Sequence, residues 1–308
     1  MRPASPRRRG RPDANASAQD SPSTPASPTS LDLYERASRD ASSRVLALYS
    51  TSFGAGTRML APAMRRHIEA VYAMVRVADE IVDTYRGDDA GELLDAYERE
   101  VGAAMERGFS TDLVVHAFAV TARAVGITRA QVDPFFTSMR RDLDPVPHTQ
   151  ESFERYVFGS AEVVGEMCLA AFLNTGTGPR PLPETAVEGA RRLGAAYQKV
   201  NFLRDLGVDD GELGRSYFPG VTARSLDQPT LERLVTDCRA DMEAARACLP
   251  ALPRRARVAV AATLAIYTRL LDRIAATPAQ ELVATRVRVP DPVKLGLAAR
   301  SALTGGRA

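Results

Sequence analysis

Four aspartates on two separate helix patterns are the residues best suited to chemistry in this chain. Asp205 and Asp209 stand one helical turn apart, so both carboxylates lie on one side of a helix. Asp79 and Asp83 show the same spacing 126 positions earlier (205 minus 79). Carboxylate oxygens suit a hard cation such as Mg²⁺. A solvated helix face is the alternative for either pair alone, but two matched pairs predict acidic sites that face each other.

An arginine accompanies each aspartate pair. Arg204 directly precedes Asp205, and Arg76 lies one short turn before Asp79. Guanidinium groups hold phosphate oxygens well, so the two helices together predict a site for a phosphate ester bound through several Mg²⁺ ions. Further polar side chains share the same helix sides, namely Tyr72, Gln198 and Asn201.

The composition favours a helical, intracellular protein without a nucleotide or zinc site. The 308 residues are 45% hydrophobic and 25% charged, which is enough for a full core. The three cysteines have no metal-like spacing and indicate reduced thiols in the cytoplasm. The three histidines are scattered and predict no zinc or di-iron site. Neither a P-loop nor a strand-linked G-x-G-x-x-G motif is present, so no cradle for nucleotide phosphates is expected.

Residues 1–30 differ in composition from the rest of the chain. Six prolines, six serines and no apolar run predict a disordered tail. The tail holds five Arg and two Asp, a balance of +3, whereas the whole chain carries +2, which leaves −1 for the remainder. The basic character therefore belongs to the tail and predicts no nucleic acid partner. The cluster Arg7 to Arg9 could touch anionic lipid, and an inert extension is the favoured alternative.

From residue 31 to 308 the pattern predicts one all-α domain. We expect a loop at 50–54, before Pro62, whose hydroxyls and N–H groups could bind an anion. Gly159 and Gly165 fall inside a predicted helix at 152–174. They indicate either a close helix crossing or a wall that leaves room for a chain-like ligand. No run of 18 uncharged apolar residues is present, so we expect no membrane span.

Four motifs, in this order, resemble the phytoene/squalene synthase family of head-to-head prenyl transferases. They are Ser52-Phe53, Y-x-x-x-R-x-x-D-E-x-x-D from Tyr72 to Asp83, Q-x-x-N-x-x-R-D-x-x-x-D from Gln198 to Asp209, and GRSYFP from Gly214 to Pro219. The resemblance covers roughly residues 38–300 and is greatest to bacterial phytoene synthases. It implies a single-domain α-helical isoprenoid synthase fold, with the two Asp motifs facing each other across a central cavity.

The resemblance also implies roles for individual residues. By motif position Asp79, Asp83, Asp205 and Asp209 would be catalytic and hold Mg²⁺ (or Mn²⁺). The residues implied to bind substrate are Ser50, Ser52, Tyr72, Arg76, Gln198, Asn201 and Arg204, with Arg215, Tyr217 and Arg286 as further phosphate neighbours. Metal ions neutralise the charge that develops on a departing diphosphate. The carbocation left behind needs a dry, apolar cavity.

The implied reaction joins two geranylgeranyl diphosphates through a cyclopropylcarbinyl diphosphate to phytoene, in carotenoid biosynthesis. An alternative is a squalene- or dehydrosqualene-type synthase acting on farnesyl diphosphate, because the bulky Phe202 leaves the chain length open. A non-catalytic lipid-binding or assembly homologue is an alternative of another class, against which the complete Asp and Arg set argues. NADPH is not expected. We expect a cytoplasmic protein with peripheral membrane contact for release of an apolar product.

Overall fold

The computed structural model describes residues 29–212 and 214–306, apart from the side chains at 51, 52 and 212. These ranges are helical and contain no β-strand, which confirms the predicted all-α class. The predicted tail lies outside the described residues up to position 28. Thr29 and Ser30, which the prediction placed in the tail, belong to the described part of the chain: Thr29 caps the first helix in a capping box with Asp32, and that helix begins at Ser30.

The helices follow one another with short connections. In chain order they are α1 (Ser30–Tyr49), α2 (Thr51–Thr57), α3 (Pro62–Asp83), α4 (Ala90–Arg107), α5 (Leu113–Val125), α6 (Arg129–Leu143), α7 (Gln150–Val157), α8 (Val163–Asn174), α9 (Glu184–Glu212), α10 (Gln228–Cys248), α11 (Arg254–Ala275), α12 (Ala279–Ala284) and α13 (Asp291–Leu303). The loop expected at 50–54 is wrong: α2 forms there because the Ser50 side chain accepts the Phe53 N–H at 3.1 Å and caps the helix.

A π-helical turn, Phe158–Glu162, joins α7 to α8 into one continuous rod. Gln150–Asn174 is the one stretch within the described ranges that is long and apolar enough to cross a membrane, and an 18-residue segment of it has a mean hydropathy of 1.4. Yet 61% of that segment is buried inside the protein. Burial of this extent is what a core helix of a globular fold shows.

The glycines of this rod allow close helix crossings. A Cβ on Gly159 would overlap the carbonyl of Pro134 on α6, and one on Gly165 would overlap the carbonyl of Ala190 on α9. Because Gly165 also lines the central cavity, both explanations considered for these glycines apply.

The two aspartate helices are amphipathic, and their apolar sides fix which way the aspartates face. α3 buries Val71, Met74, Ala78 and Val82 in a core shared with α4, α5, α6 and α8. α9 buries Ala196, Val200 and Leu203 against α10 and α11. Because the apolar stripes of α3 and α9 are buried in two separate cores, the polar sides of these helices point to the space between them.

Candidate active site

A cavity of about 950 Å³ lies between α2, α3, α8, α9, α11 and the segment that leads into α13. Much of its wall is apolar, including Leu60, Ile68, Cys168, Phe172, Leu249 and Leu252. Another part of the wall is polar and carries seven of the ten predicted substrate-binding residues: Ser50, Tyr72, Arg76, Gln198, Asn201, Arg204 and Arg286. A cavity of this kind suits an amphiphile with a long hydrocarbon chain and an anionic head.

The aspartates of α3 lie at the margin of this polar wall. Arg76 Nη1 is 3.8 Å from Asp79 Oδ2, Arg76 also pairs with Glu80, and its guanidinium stacks over the Tyr49 ring at 4.5 Å. Burial, and then the neighbouring charge of Asp83, raise the pKa of Asp79 to about 8. Because 30% of the Asp79 side chain stays open to the cleft, a cation could still reach it.

The aspartates of α9 occupy the other side. Two arginines hold Asp205, since Arg204 Nε donates to its Oδ1 at 3.0 Å and Arg286 Nε donates to the same oxygen at 2.8 Å. Asp209 has no such pair. Its pKa rises to about 7 through burial and then the charges of Asp205 and Asp83.

Arg215 connects the two aspartate helices. Its Nη1 donates to Asp83 Oδ1 at 2.5 Å, and its backbone N–H donates to the Asp209 carbonyl at 2.9 Å. Arg215 therefore bridges the C-terminal parts of α3 and α9, which carry the two aspartate motifs.

The cleft fits a divalent cation in its donor chemistry. Burial, and then a neighbouring aspartate, raise the pKa values of Asp79 and Asp209, and carboxylate oxygens are the ligands that hard divalent cations prefer. Across 29–212 and 214–306, no three acidic, His or Cys side chains converge closely enough to hold an ion. Arginines hold Asp83 and Asp205 instead, so a cation would compete with them for the carboxylate oxygens.

Comparison with known proteins agrees with this arrangement. The family model described as squalene/phytoene synthase matches residues 46–292. The chain belongs to the squalene/phytoene synthase family. It is therefore a prenyltransferase of the kind that condenses two prenyl diphosphates head to head.

Alignments with individual relatives cover most of this chain. The chain is 32% identical to the 15-cis-phytoene synthase of Synechocystis over 278 residues, which cover 82% of this chain and 80% of that relative. It is 28% identical to phytoene synthase 1 of Arabidopsis thaliana over 81% of its own length but only 62% of the plant protein. Among solved structures, a ligand-bound dehydrosqualene synthase matches with a TM-score of 0.73 at 22% identity, covering 88% of this chain and 98% of the other, and confirms the isoprenoid synthase fold.

Two predicted substrate-binding residues, Arg215 and Tyr217, are not on the wall of the main cavity. The side chain of Ser52 lies outside the described residues. Arg215 and Tyr217 line a much smaller hollow with Asp209 and Phe202, behind the aspartate cleft. Phe202, whose bulk left the chain length open, lies in this hollow and not in the main cavity: its ring stacks on Tyr217 with centroids 4.0 Å apart.

Two functional residues were missed by sequence reasoning. Tyr267 on α11 lines the cavity, stacks on Tyr197 with ring centroids 4.0 Å apart, and points its hydroxyl at Asn201 Oδ1, 3.5 Å away. No motif marks it, because it lies in an ordinary amphipathic helix. Asp142 is buried beneath the aspartate cleft and accepts hydrogen bonds from the hydroxyls of Tyr156 and Tyr217. The signal available in the sequence was a carboxylate near the end of α6.

Proposed function

We propose that this prenyltransferase condenses two geranylgeranyl diphosphates into phytoene and depends on Mg²⁺ or Mn²⁺. The observation that carries the proposal is the cavity of about 950 Å³, with arginines in one part of its wall and hydrocarbon side chains over much of the rest. The relative at 32% identity is a 15-cis-phytoene synthase, which supports the twenty-carbon substrate.

The polar wall would bind the diphosphate groups. Arg76, Arg204 and Arg286 line the cavity and offer guanidinium donors to phosphate oxygens. Asp79, Asp83, Asp205 and Asp209 would hold Mg²⁺, which when bound neutralises charge on the departing diphosphate. The ion pairs of Arg204 and Arg286 with Asp205 keep these donors beside the carboxylates until substrate arrives.

The apolar wall would protect the carbocations. When the first allylic C–O bond breaks, its electron pair leaves with diphosphate, and the cation alkylates the double bond of the second substrate. Loss of a proton closes the cyclopropylcarbinyl diphosphate. A second ionisation, rearrangement and proton loss give phytoene, so no reductant is consumed and NADPH is not expected.

Aromatic rings lie on the wall of the cavity in which these cations would form. Tyr197 and Tyr267 stack at 4.0 Å, and Phe53 and Tyr72 at 5.6 Å, all on the cavity wall. Ring faces attract cations, and the surrounding hydrocarbon keeps out the water that would quench them.

The decisive experiment is incubation with geranylgeranyl or farnesyl diphosphate and Mg²⁺, with and without NADPH, followed by chromatography of the products. Phytoene formed from the twenty-carbon substrate without NADPH is the expected result. A higher kcat/KM with farnesyl diphosphate would favour the squalene-type alternative. Failure of both substrates would favour a non-catalytic homologue.

We also propose a cytoplasmic protein that touches membranes at the cavity mouth. Leu48 is 66% exposed and Leu295 is 62% exposed, and their chain neighbours Tyr49 and Lys294 line the cavity. Exposed leucines there give an apolar product a path into lipid. Replacing both leucines with serine should lower cosedimentation with phospholipid vesicles and leave turnover in detergent unchanged, whereas unchanged cosedimentation would contradict the proposal.

A further inference from the structure

Arg215 is a buried cation that several acidic groups share. Its side chain is only 7% exposed, and it donates to Asp83 Oδ1 at 2.5 Å, to the Val82 carbonyl at 2.9 Å and to the backbone carbonyl of Asp142 at 3.2 Å. Its Nε also lies 4.0 Å from Asp142 Oδ1. The guanidinium therefore lies between two carboxylates. It is hydrogen-bonded to that of Asp83 and is close to that of Asp142.

Asp142 is held rigidly at that second position. The Tyr156 hydroxyl donates to its two oxygens at 2.9 and 3.0 Å, and the Tyr217 hydroxyl donates to Oδ1 at 3.3 Å. The ring of Tyr217 is itself fixed between Phe202 and Tyr156. Within the described part of the chain, Asp142 forms one ion pair, and its partner is Arg215.

The two carboxylates differ in access. The Asp83 side chain is 39% exposed and faces the cleft, whereas that of Asp142 is 6% exposed. An incoming divalent cation can therefore reach Asp83 but not Asp142. We propose that Asp142 is a positioning residue: it holds Arg215 when a divalent cation takes Asp83, and so lets Asp83 become a metal ligand. This inference rests on the metal dependence in the proposed function.

The physical reason is the high free energy of a buried charge without a partner. If Asp142 were uncharged, Arg215 would have to keep Asp83 or remain buried without a carboxylate. Either outcome raises the free energy of the cation-bound state. With Asp142 ionised, the guanidinium exchanges one carboxylate for another and stays bonded to the two backbone carbonyls.

A double-mutant cycle on Mn²⁺ binding, followed by electron paramagnetic resonance on the full chain without substrate, tests the proposal. Asp142→Asn keeps an acceptor for the tyrosine hydroxyls and removes the charge. We expect it to weaken Mn²⁺ binding by about tenfold. In the Arg215→Gln background the same substitution should have little effect, because no guanidinium remains to be held. If Asp142→Asn weakened Mn²⁺ binding equally with and without Arg215→Gln, the effect would come from the loss of a negative charge alone. That result would overturn the proposal.

Asp241→Asn is the matched control. Asp241 is also buried, at 4% exposure, and pairs with Arg192 at 3.0 Å and with Lys199 at 2.6 Å. In this pair Asp241 lies on α10 and both cations lie on α9. Substitution of Asp241 should lower the melting temperature and leave Mn²⁺ affinity unchanged. If Asp241→Asn weakened Mn²⁺ binding as much as Asp142→Asn, the effect would be a general loss of structure and the proposal would fall.

A measurement on the unsubstituted protein covers the case in which Asp142→Asn does not fold. The NMR signal of the Arg215 Nε–H can be assigned in ¹⁵N-arginine-labelled protein, because it is lost in Arg215→Lys. This signal should shift but persist when Mg²⁺ and inorganic pyrophosphate are added. Its loss to solvent exchange would contradict retention by Asp142. If the unsubstituted protein bound no Mn²⁺, the metal assignment and this inference would fail together, whereas normal binding without coupling would overturn the inference alone.

Discussion

Arg286 Nε lies 2.8 Å from Asp205 Oδ1, although the two residues are 81 positions apart. Arg204 holds the same carboxylate from within α9. The segment after α12 thus brings a second guanidinium to one end of the cavity, and both arginines line it. A diphosphate at this point would meet two cations from separate parts of the chain.

Arg286→Ala should raise the KM for the prenyl diphosphate by about tenfold or more, since a charged hydrogen bond to phosphate contributes roughly 1.5–3 kcal/mol. Stability should change by less than about 1 kcal/mol, because the Arg286 side chain is 49% exposed and exposed ion pairs contribute little. The control is Arg239→Ala. It breaks an exposed ion pair outside the cavity, in which Arg239 Nη2 lies 3.1 Å from Asp272 Oδ1. An unchanged KM for Arg286→Ala would remove it from the substrate site.

Chelation should abolish turnover. The four aspartates are the proposed metal ligands, and burial, followed by neighbouring aspartates, raises the pKa values of Asp79 and Asp209. We therefore expect EDTA to stop product formation and Mg²⁺ or Mn²⁺ to restore it. Product analysis at increasing free Mg²⁺ is the measurement. Full turnover in excess chelator would contradict the roles assigned to the four aspartates.

Asp79→Asn and Asp205→Asn should each abolish product but differ in stability. Without metal, Asp79→Asn should be no less stable than the parent, because it removes a carboxylate repelled by Asp83. Asp205→Asn should be somewhat less stable, since it leaves Arg204 without its carboxylate. Melting temperatures with and without Mg²⁺ and a diphosphate analogue, beside turnover, check both. Near-normal turnover of either variant would exclude its helix from the catalytic site.

The metal-free protein should lose stability as pH rises from about 5 to 8. Burial, first of all, raises the pKa of Asp79 to about 8 and the pKa of both Asp142 and Asp209 to about 7, above the ordinary 3.8. The folded state therefore holds protons that the unfolded state has released, so the free energy of unfolding falls over this window. Urea unfolding in EDTA at both pH values should show a loss of at least about 1 kcal/mol. Asp79→Asn should reduce this dependence, and an equal slope in that variant would contradict the assignment.

Substitutions at Phe172 and Phe202 should have different effects on substrate choice. Phe172 lines the cavity, so Phe172→Ala should raise kcat/KM for geranylgeranyl relative to farnesyl diphosphate by making room. Phe202 is 5% exposed and packs on Tyr217 outside the cavity. Phe202→Ile should therefore lower stability by about 1–3 kcal/mol without changing the preference. A changed preference in Phe202→Ile would show that the hollow it lines communicates with the substrate.

Much of the fold and the chemistry could be derived from the sequence alone. Apolar residues at helical spacing predicted α3 and α9, and the side-chain period of a helix placed Asp79 beside Asp83 and Asp205 beside Asp209. The repeated spacing, with Arg76 and Arg204, predicted one acidic, phosphate-binding cleft. These are local properties, because residues three or four apart share a helix side whatever the rest of the chain does.

Only the tertiary structure showed which distant groups meet. Helix packing brings Arg286 to Asp205, Tyr267 to Asn201, and Arg215 between Asp83 and Asp142. It also places Phe202 outside the main cavity, where its ring stacks on Tyr217. The sequence determined what each helix presents, whereas the crossing of helices, set by the close packing of their cores, determined which of those side chains face each other.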